Sequence, residues 1–117
     1  MAGTPTVEGV YAASFLSNLN QYGQGIIVLD GGRVHGGDLD YAYIGKYSVA
    51  HNEIVATVDV ANYSGGFTSV LGDLAQYRLT LNGRIRAQEM TVSGKVEGRP
   101  DLKIQINLRK ISPIVRS

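Results

Sequence analysis

The stretch that decides the fold is GQGIIVLDGGRVHGGDLDYAYIGKY, residues 23–47. Its apolar run 25–29 has the composition of a strand, and Asp-Gly-Gly-Arg at 30–33 then reverses the chain. Glycine supplies the positive φ angles that a tight hairpin turn requires and that most side chains disfavour. A very short return strand, a second glycine turn at 36–38 and a strand at 41–47 follow. Two reversals this close together leave no room for a helical crossover, so these strands must be antiparallel.

Alternation of apolar and polar residues extends the same pattern over the rest of the chain. A strand turns every second side chain to one face, so an alternating run has one buried face. Val70, Leu71 and Leu74 are the exception, because their helical spacing predicts at most one short helix near 68–76. A hairpin turn is predicted at 98–101. The predicted strands are 7–16, 25–29, 34–35, 41–47, 53–63, 77–86, 90–96 and 102–109.

About eight strands with short links predict an all-β, antiparallel up-and-down barrel, because closing the sheet removes its exposed edges. A two-sheet sandwich is the alternative, although its connections usually cross between sheets and need longer links. The 117 residues suffice for one domain, which we place at 7–117 behind a flexible N-terminal tail, 1–6.

Composition narrows the range of functions. A net charge of +1 gives no case for a nucleic-acid partner, because phosphate binding needs clustered cationic charge. The chain has no cysteine for thiol chemistry or thiolate metal sites. No apolar run reaches the roughly 18 residues of a membrane helix. The first residues lack the pattern of a secretory signal. We therefore expect a cytoplasmic protein without a membrane or nucleic-acid partner and without a cofactor.

No motif in the sequence predicts a metal site or a catalytic site. His35 with Asp38 and Asp40 has too few convergent ligands for a metal, and the other histidine, His51, lies in a separate turn. Asp38 is better interpreted as a turn residue that accepts hydrogen bonds from nearby backbone N–H groups. No Gly-x-Ser-x-Gly elbow is present. The sequence therefore predicts a protein that is not an enzyme.

Tyrosine is the strongest functional signal, with seven copies against two phenylalanines and no tryptophan. Tyrosine combines a broad apolar ring with a hydroxyl that needs a partner. Tyr41, Tyr43 and Tyr47 share one strand face. An inward face would line a cavity or fill the core, whereas an outward face would form an aromatic interface. The candidates for lining a ligand cavity are Tyr11, Phe15, Tyr43, Tyr47 and Tyr77.

A set of glycine and turn motifs extends over nearly the whole chain. They are Glu8-Gly9-Val10-Tyr11, Phe15-Leu16-Ser17-Asn18, Gly23-Gln24-Gly25-Ile26, Gly36-Gly37-Asp38 with Tyr43 and Gly45, Ser69-Val70-Leu71, Tyr77-Arg78-Leu79 and Lys110-Ile111-Ser112-Pro113. Together they resemble the GrlR family of small cytoplasmic regulators, whose founding member is a negative regulator of type III secretion genes. The Gly9-x-Tyr11 start is also similar to the Gly-x-Trp that opens the first strand of lipocalins, with tyrosine in place of tryptophan.

This resemblance implies a lipocalin-like β-barrel that forms a homodimer, sequesters a transcriptional regulator and has a cavity suited to a lipid-like ligand. The founding member contacts its partner through an acidic Glu-Asp-Glu-Asp run on an exposed loop. The matching positions here, which form the candidate partner loop, are Ala50, His51, Asn52 and Glu53, with one acid. We expect a regulatory or adaptor barrel acting by protein–protein binding. The alternative is a carrier or sensor of a small hydrophobic, lipid-like ligand.

Overall fold

Eight strands form a single closed barrel in the computed structural model, which describes residues 7–65 and 74–115. Each strand pairs antiparallel with the next one along the chain, and the last pairs with the first, so the sheet has no open edge. The strands are β1 (Gly9–Ser17), β2 (Tyr22–Asp30), β3 (Arg33–Gly37), β4 (Tyr41–Ala50), β5 (Glu53–Asn62), β6 (Gln76–Arg86), β7 (Glu89–Val96) and β8 (Arg99–Ser112).

The predicted antiparallel up-and-down barrel of about eight strands is confirmed, and the two-sheet sandwich is wrong. Most of the short helix predicted near 68–76 lies outside the described residues. Of its described part, Leu74 and Ala75 are not helical and Gln76 opens β6. The tail predicted at 1–6 also lies outside the described residues. In the described ranges, no helix is long and apolar enough to span a membrane.

Positive φ angles fix where the chain reverses. In the β2–β3 turn, Gly31 and Gly32 have φ values of 61° and 82°, as the Asp-Gly-Gly-Arg sequence predicts. The hairpin turn predicted at 98–101 is misplaced. The reversal falls at Glu97–Gly98, where Gly98 has a φ of 81°, and β8 already begins at Arg99. Pro100 can lie at the start of a strand, because the first residues need not donate to the ladder.

Alternate residues of every strand point into the barrel and form one apolar core. We call the end with the β1–β2, β3–β4, β5–β6 and β7–β8 connections the upper end, and the opposite end the lower end. The interior contains a cavity in its upper half. Its buried residues are Val7, Tyr11, Ala13, Phe15, Ile27, Leu29, Val34, Tyr41, Tyr43, Ile54, Val58, Val60, Leu79, Leu81, Met90, Val92, Val96, Leu102, Ile104, Ile106 and Leu108.

Candidate functional site: a cavity at the upper end of the barrel

A cavity of about 240 Å³ occupies the upper half of the barrel. Exposed side chains of Tyr22 and Leu39 border its mouth. An engineered apolar cavity of roughly 150 Å³ binds benzene, and pockets for drug-sized ligands span about 300–1,000 Å³. This cavity therefore has room for a ligand between those two sizes. Its deeper walls are aliphatic and comprise Ile27, Val58, Val60, Leu79, Leu81, Ile104 and Ile106.

Aromatic rings from β1, β4 and β6 form part of the cavity wall. Phe15 and Tyr43 meet edge to face, with ring centroids 5.7 Å apart, and Tyr41 lies 6.4 Å from Tyr77. Gly25 on β2 lies beside the Tyr43 ring of β4. A Cβ at Gly25 would lie 2.9 Å from both the Tyr43 hydroxyl oxygen and the Gly37 carbonyl oxygen. The missing side chain at this position therefore makes space for the Tyr43 ring.

Asp38 is the polar anchor at the mouth of the cavity. Its Oδ1 accepts hydrogen bonds from the backbone N–H groups of Asp40, at 2.9 Å, and Tyr41, at 2.8 Å. The Tyr43 hydroxyl donates to the other carboxylate oxygen, Oδ2. The predicted turn role of Asp38 is confirmed, and the same side chain also fixes an aromatic wall residue. A carboxylate has about four acceptor positions, so the anchor can still accept a donor from a ligand.

The β3–β4 turn is also tied to neighbouring chain segments. The Tyr63 hydroxyl donates to the Asp38 carbonyl oxygen, and the Ser64 hydroxyl donates to Asp40 Oδ1 at 2.7 Å. The Tyr41 hydroxyl donates to the Leu74 carbonyl oxygen at 2.7 Å. These contacts connect both described sides of the β5–β6 connection to the turn. The mouth is therefore held by side-chain hydrogen bonds as well as by the sheet.

Burial and the neighbouring carboxylate keep Tyr43 protonated. Burial in the barrel raises the pKa of the Tyr43 hydroxyl far above its ordinary value, and donation to Asp38 raises it further. The neutral Tyr43 hydroxyl is oriented toward the Asp38 side chain. The site can therefore offer hydrogen-bond acceptors and aromatic faces next to an aliphatic chamber.

The structure brings together three of the five predicted cavity residues. Phe15, Tyr43 and Tyr77 line the upper cavity, whereas Tyr11 and Tyr47 do not border it. All five point into the barrel, and so does Tyr41, so an outward aromatic patch made by Tyr41, Tyr43 and Tyr47 is wrong. The strand register explains the separation, because residues on one face of a strand can lie near opposite ends of a barrel.

Tyr11 belongs to the lower half of the barrel. Its hydroxyl donates to the Val7 carbonyl oxygen at 2.7 Å, and the Lys110 ammonium lies 6.0 Å from its ring centroid. Burial raises the pKa of Tyr11 to about 12, with a smaller contribution from nearby Tyr47. Burial also raises the pKa of Tyr47. Both tyrosines lie inside the barrel, where they pack the lower end and do not border the cavity for which they were candidates.

The candidate partner loop lies at the lower end, away from the cavity. Ala50 ends β4, Glu53 begins β5, and all four residues of the loop are exposed. His51 and Asn52 have φ values of 54° and 65°, so they form the two central positions of a tight turn. In residues 7–65 and 74–115, no group of three or more histidine, aspartate or glutamate side chains is placed to hold a metal ion.

Sequence reasoning did not assign Tyr22 or Leu39 to the cavity, and it placed Tyr41 on the same face as Tyr43 but left it out of the candidates; all three border the cavity. It also treated Asp38 only as a turn residue. One signal was present, because Asp38 follows the Gly36-Gly37 turn and precedes the inward-facing pair Tyr41 and Tyr43. A carboxylate at such a hairpin turn lies within reach of the first inward residues of the next strand.

No protein-family model matches the chain, and no curated protein matches it. Among solved structures, the chain is similar to a redesigned β-barrel, with a TM-score of 0.50 and 10% sequence identity. The match covers 91% of this chain and 92% of the other. A likeness at this identity shows the barrel fold alone.

Proposed function

We propose that this barrel is a binding protein for a small, mainly hydrophobic ligand and not an enzyme. The single observation that carries the proposal is the 240 Å³ cavity, with an aliphatic chamber below and Asp38 and Tyr43 at its mouth. Small-molecule sites in proteins are mostly apolar clefts with a few placed polar groups. Burial of the apolar part of the ligand drives binding, and the polar groups orient it.

Two valine variants on one strand test this proposal. Val58 lines the cavity, and Val55 lies on the outer face of the same strand with 52% of its surface exposed. Val58→Phe fills the cavity, whereas Val55→Phe makes the same change outside it. Native mass spectrometry of freshly purified protein is expected to show a retained small mass in the wild type and Val55→Phe, and its loss in Val58→Phe. Equal retention by Val58→Phe would contradict the proposal.

A second candidate function is regulation by protein–protein binding, favoured by an apolar band on the outer face of β1–β5. The band runs straight across five strands, because Ala12, Ile26, Gly37, Ala42 and Ala61 are direct neighbours in the register. Contiguous apolar surface of this kind is typical of protein interfaces. The outer faces of β6–β8 are instead rich in charged and polar side chains.

The homodimer and the GrlR-like regulatory role belong to this second candidate. Both rest on the resemblance in the turn motifs, as do the transcriptional-regulator partner and the partner loop at 50–53. The cytoplasmic location expected from the sequence is proposed with them. We expect sedimentation at micromolar concentration to show a species larger than 12.6 kDa. Ile26→Lys should convert the dimer to a monomer, whereas Gln105→Lys, on the polar outer face of β8, should leave the dimer unchanged. A monomer in the wild type would contradict the dimer.

A further inference from the structure

The charge of the cavity mouth distinguishes between classes of hydrophobic ligand. Asp38 and Asp40 both border the cavity, and none of the described residues that line it is lysine, arginine or histidine. A fatty acid would therefore bring its carboxylate beside two carboxylates without a cation to balance them. Repulsion between neighbouring carboxylates disfavours binding, most strongly where water is excluded.

The aromatic residues at the mouth favour the opposite charge. Tyr22, Tyr43 and Tyr77 border the same cavity as the two carboxylates. The face of an aromatic ring attracts a cation within about 6 Å of its centroid, and sites of several rings are the usual way in which proteins recognise ammonium groups. Carboxylates beside such rings add direct charge attraction.

The lower end of the barrel shows this chemistry within the chain itself. There the Lys110 ammonium lies 6.0 Å from the centroid of the buried Tyr11 ring. The upper end has the tyrosines and the carboxylates, but the described lining residues include no basic side chain. A cationic ligand could therefore make with the tyrosines of the upper end the cation–π contact that Lys110 makes with Tyr11 at the lower end.

We propose that the cavity selects hydrophobic amines or quaternary ammonium compounds over fatty acids. Their apolar part would lie against Leu81, Ile104 and Ile106, and their cationic group would lie at the mouth beside Asp38 and the tyrosine rings. This inference rests on the proposed ligand-binding function and names the ligand class of the same site.

Three probes with one tail and different head groups test the inference at pH 7. They are octyltrimethylammonium, 1-octanol and octanoate, used below their micelle concentrations in calorimetric or NMR titrations. We expect the ammonium compound to bind about tenfold or more tighter than octanoate, with octanol between them. Octanoate binding as tightly as the ammonium compound would overturn the head-group inference and leave the ligand-binding function intact. The absence of saturable binding by all three would overturn both.

Variants of the carboxylates separate charge from shape. Asp38→Asn keeps an oxygen that can accept the two backbone hydrogen bonds and removes the negative charge. It should lower the affinity for octyltrimethylammonium about tenfold and change that for octanol less than about twofold. Asp40→Asn should lower the ammonium affinity in the same direction, and it replaces Asp38→Asn if that variant does not fold. Glu89→Gln, at the start of β7 at the lower end, makes the same charge change away from the cavity and should have no effect. An equal loss for all three probes in both carboxylate variants would overturn the charge argument.

Discussion

Replacing Asp38 with alanine tests how much the mouth of the cavity contributes to the fold. The carboxylate accepts hydrogen bonds from the backbone of Asp40 and Tyr41 and from the Tyr43 hydroxyl. Each lost backbone bond costs about 0.5–1.5 kcal/mol, and a buried hydroxyl left without a partner costs about 1–3 kcal/mol. Together these terms destabilise Asp38→Ala by about 4 kcal/mol, out of roughly 6–18 kcal/mol expected for a domain of this length.

Urea unfolding of four variants measures this effect. Asp38→Ala, Tyr43→Phe and the double variant form a double-mutant cycle, and Asp40→Ala is the control because its side chain accepts an exposed bond from Ser64. We expect a coupling of about 1.5–3 kcal/mol between Asp38 and Tyr43, since their bond joins a charged acceptor to a buried donor. The control should cost less than about 1 kcal/mol. Additive costs in the cycle, or an Asp38→Ala cost equal to that of the control, would refute the reasoning.

Three further predictions concern the rest of the barrel. The contribution of Tyr11 to the free energy of unfolding should be fully present below pH 10 and decline as the pH rises from about 10 to about 12, because its pKa is about 12 when folded and about 10 when unfolded. Thermal melts should show a shallower decline for Tyr11→Phe, and identical slopes would count against this role. Asn52→Gly should stabilise the barrel by about 0.5 kcal/mol in urea, because a φ of 65° costs asparagine more than glycine, and a lower urea midpoint would contradict it. Gly94→Ala should lower the free energy of unfolding by about 3 kcal/mol, since its Cβ would lie 1.8 Å from the Thr80 carbonyl oxygen. If Gly94→Ala is as stable as the neighbouring outward variant Ser93→Ala, the strands separate easily at this point and the prediction is wrong.

The architecture could be predicted from sequence because each part of it has a local signal. The two glycines at 31–32 set the first hairpin, and the alternation in 53–63 and 102–109 marks strands with one buried face. The pair Tyr41 and Tyr43 was correctly placed on one face, because a strand has a period of two. The turn predicted at 98–101 was misplaced because proline and glycine both favour turns, and only Gly98 has the positive φ.

The site was less predictable because it depends on distance along the barrel axis. Tyr43 and Tyr47 share one strand face, yet only Tyr43 borders the cavity. Which end each tyrosine occupies follows from the register of all eight strands, which no local pattern reveals. The contact between Asp38 and Tyr43 likewise depends on a side-chain direction at a turn.

The most direct test of ligand binding is a methyl NMR titration of the chain with 1-octanol. Ile104 and Ile106 line the cavity, whereas Ile44 and Ile111 lie on the outer surface with 58% and 49% of their area exposed. We expect saturable shifts of the Ile104 and Ile106 methyl signals and unchanged Ile44 and Ile111 signals, with the inner shifts lost in Val58→Phe. Shifts that appear first at the outer isoleucines, or inner signals that do not move at saturating octanol, would contradict a binding site inside the barrel.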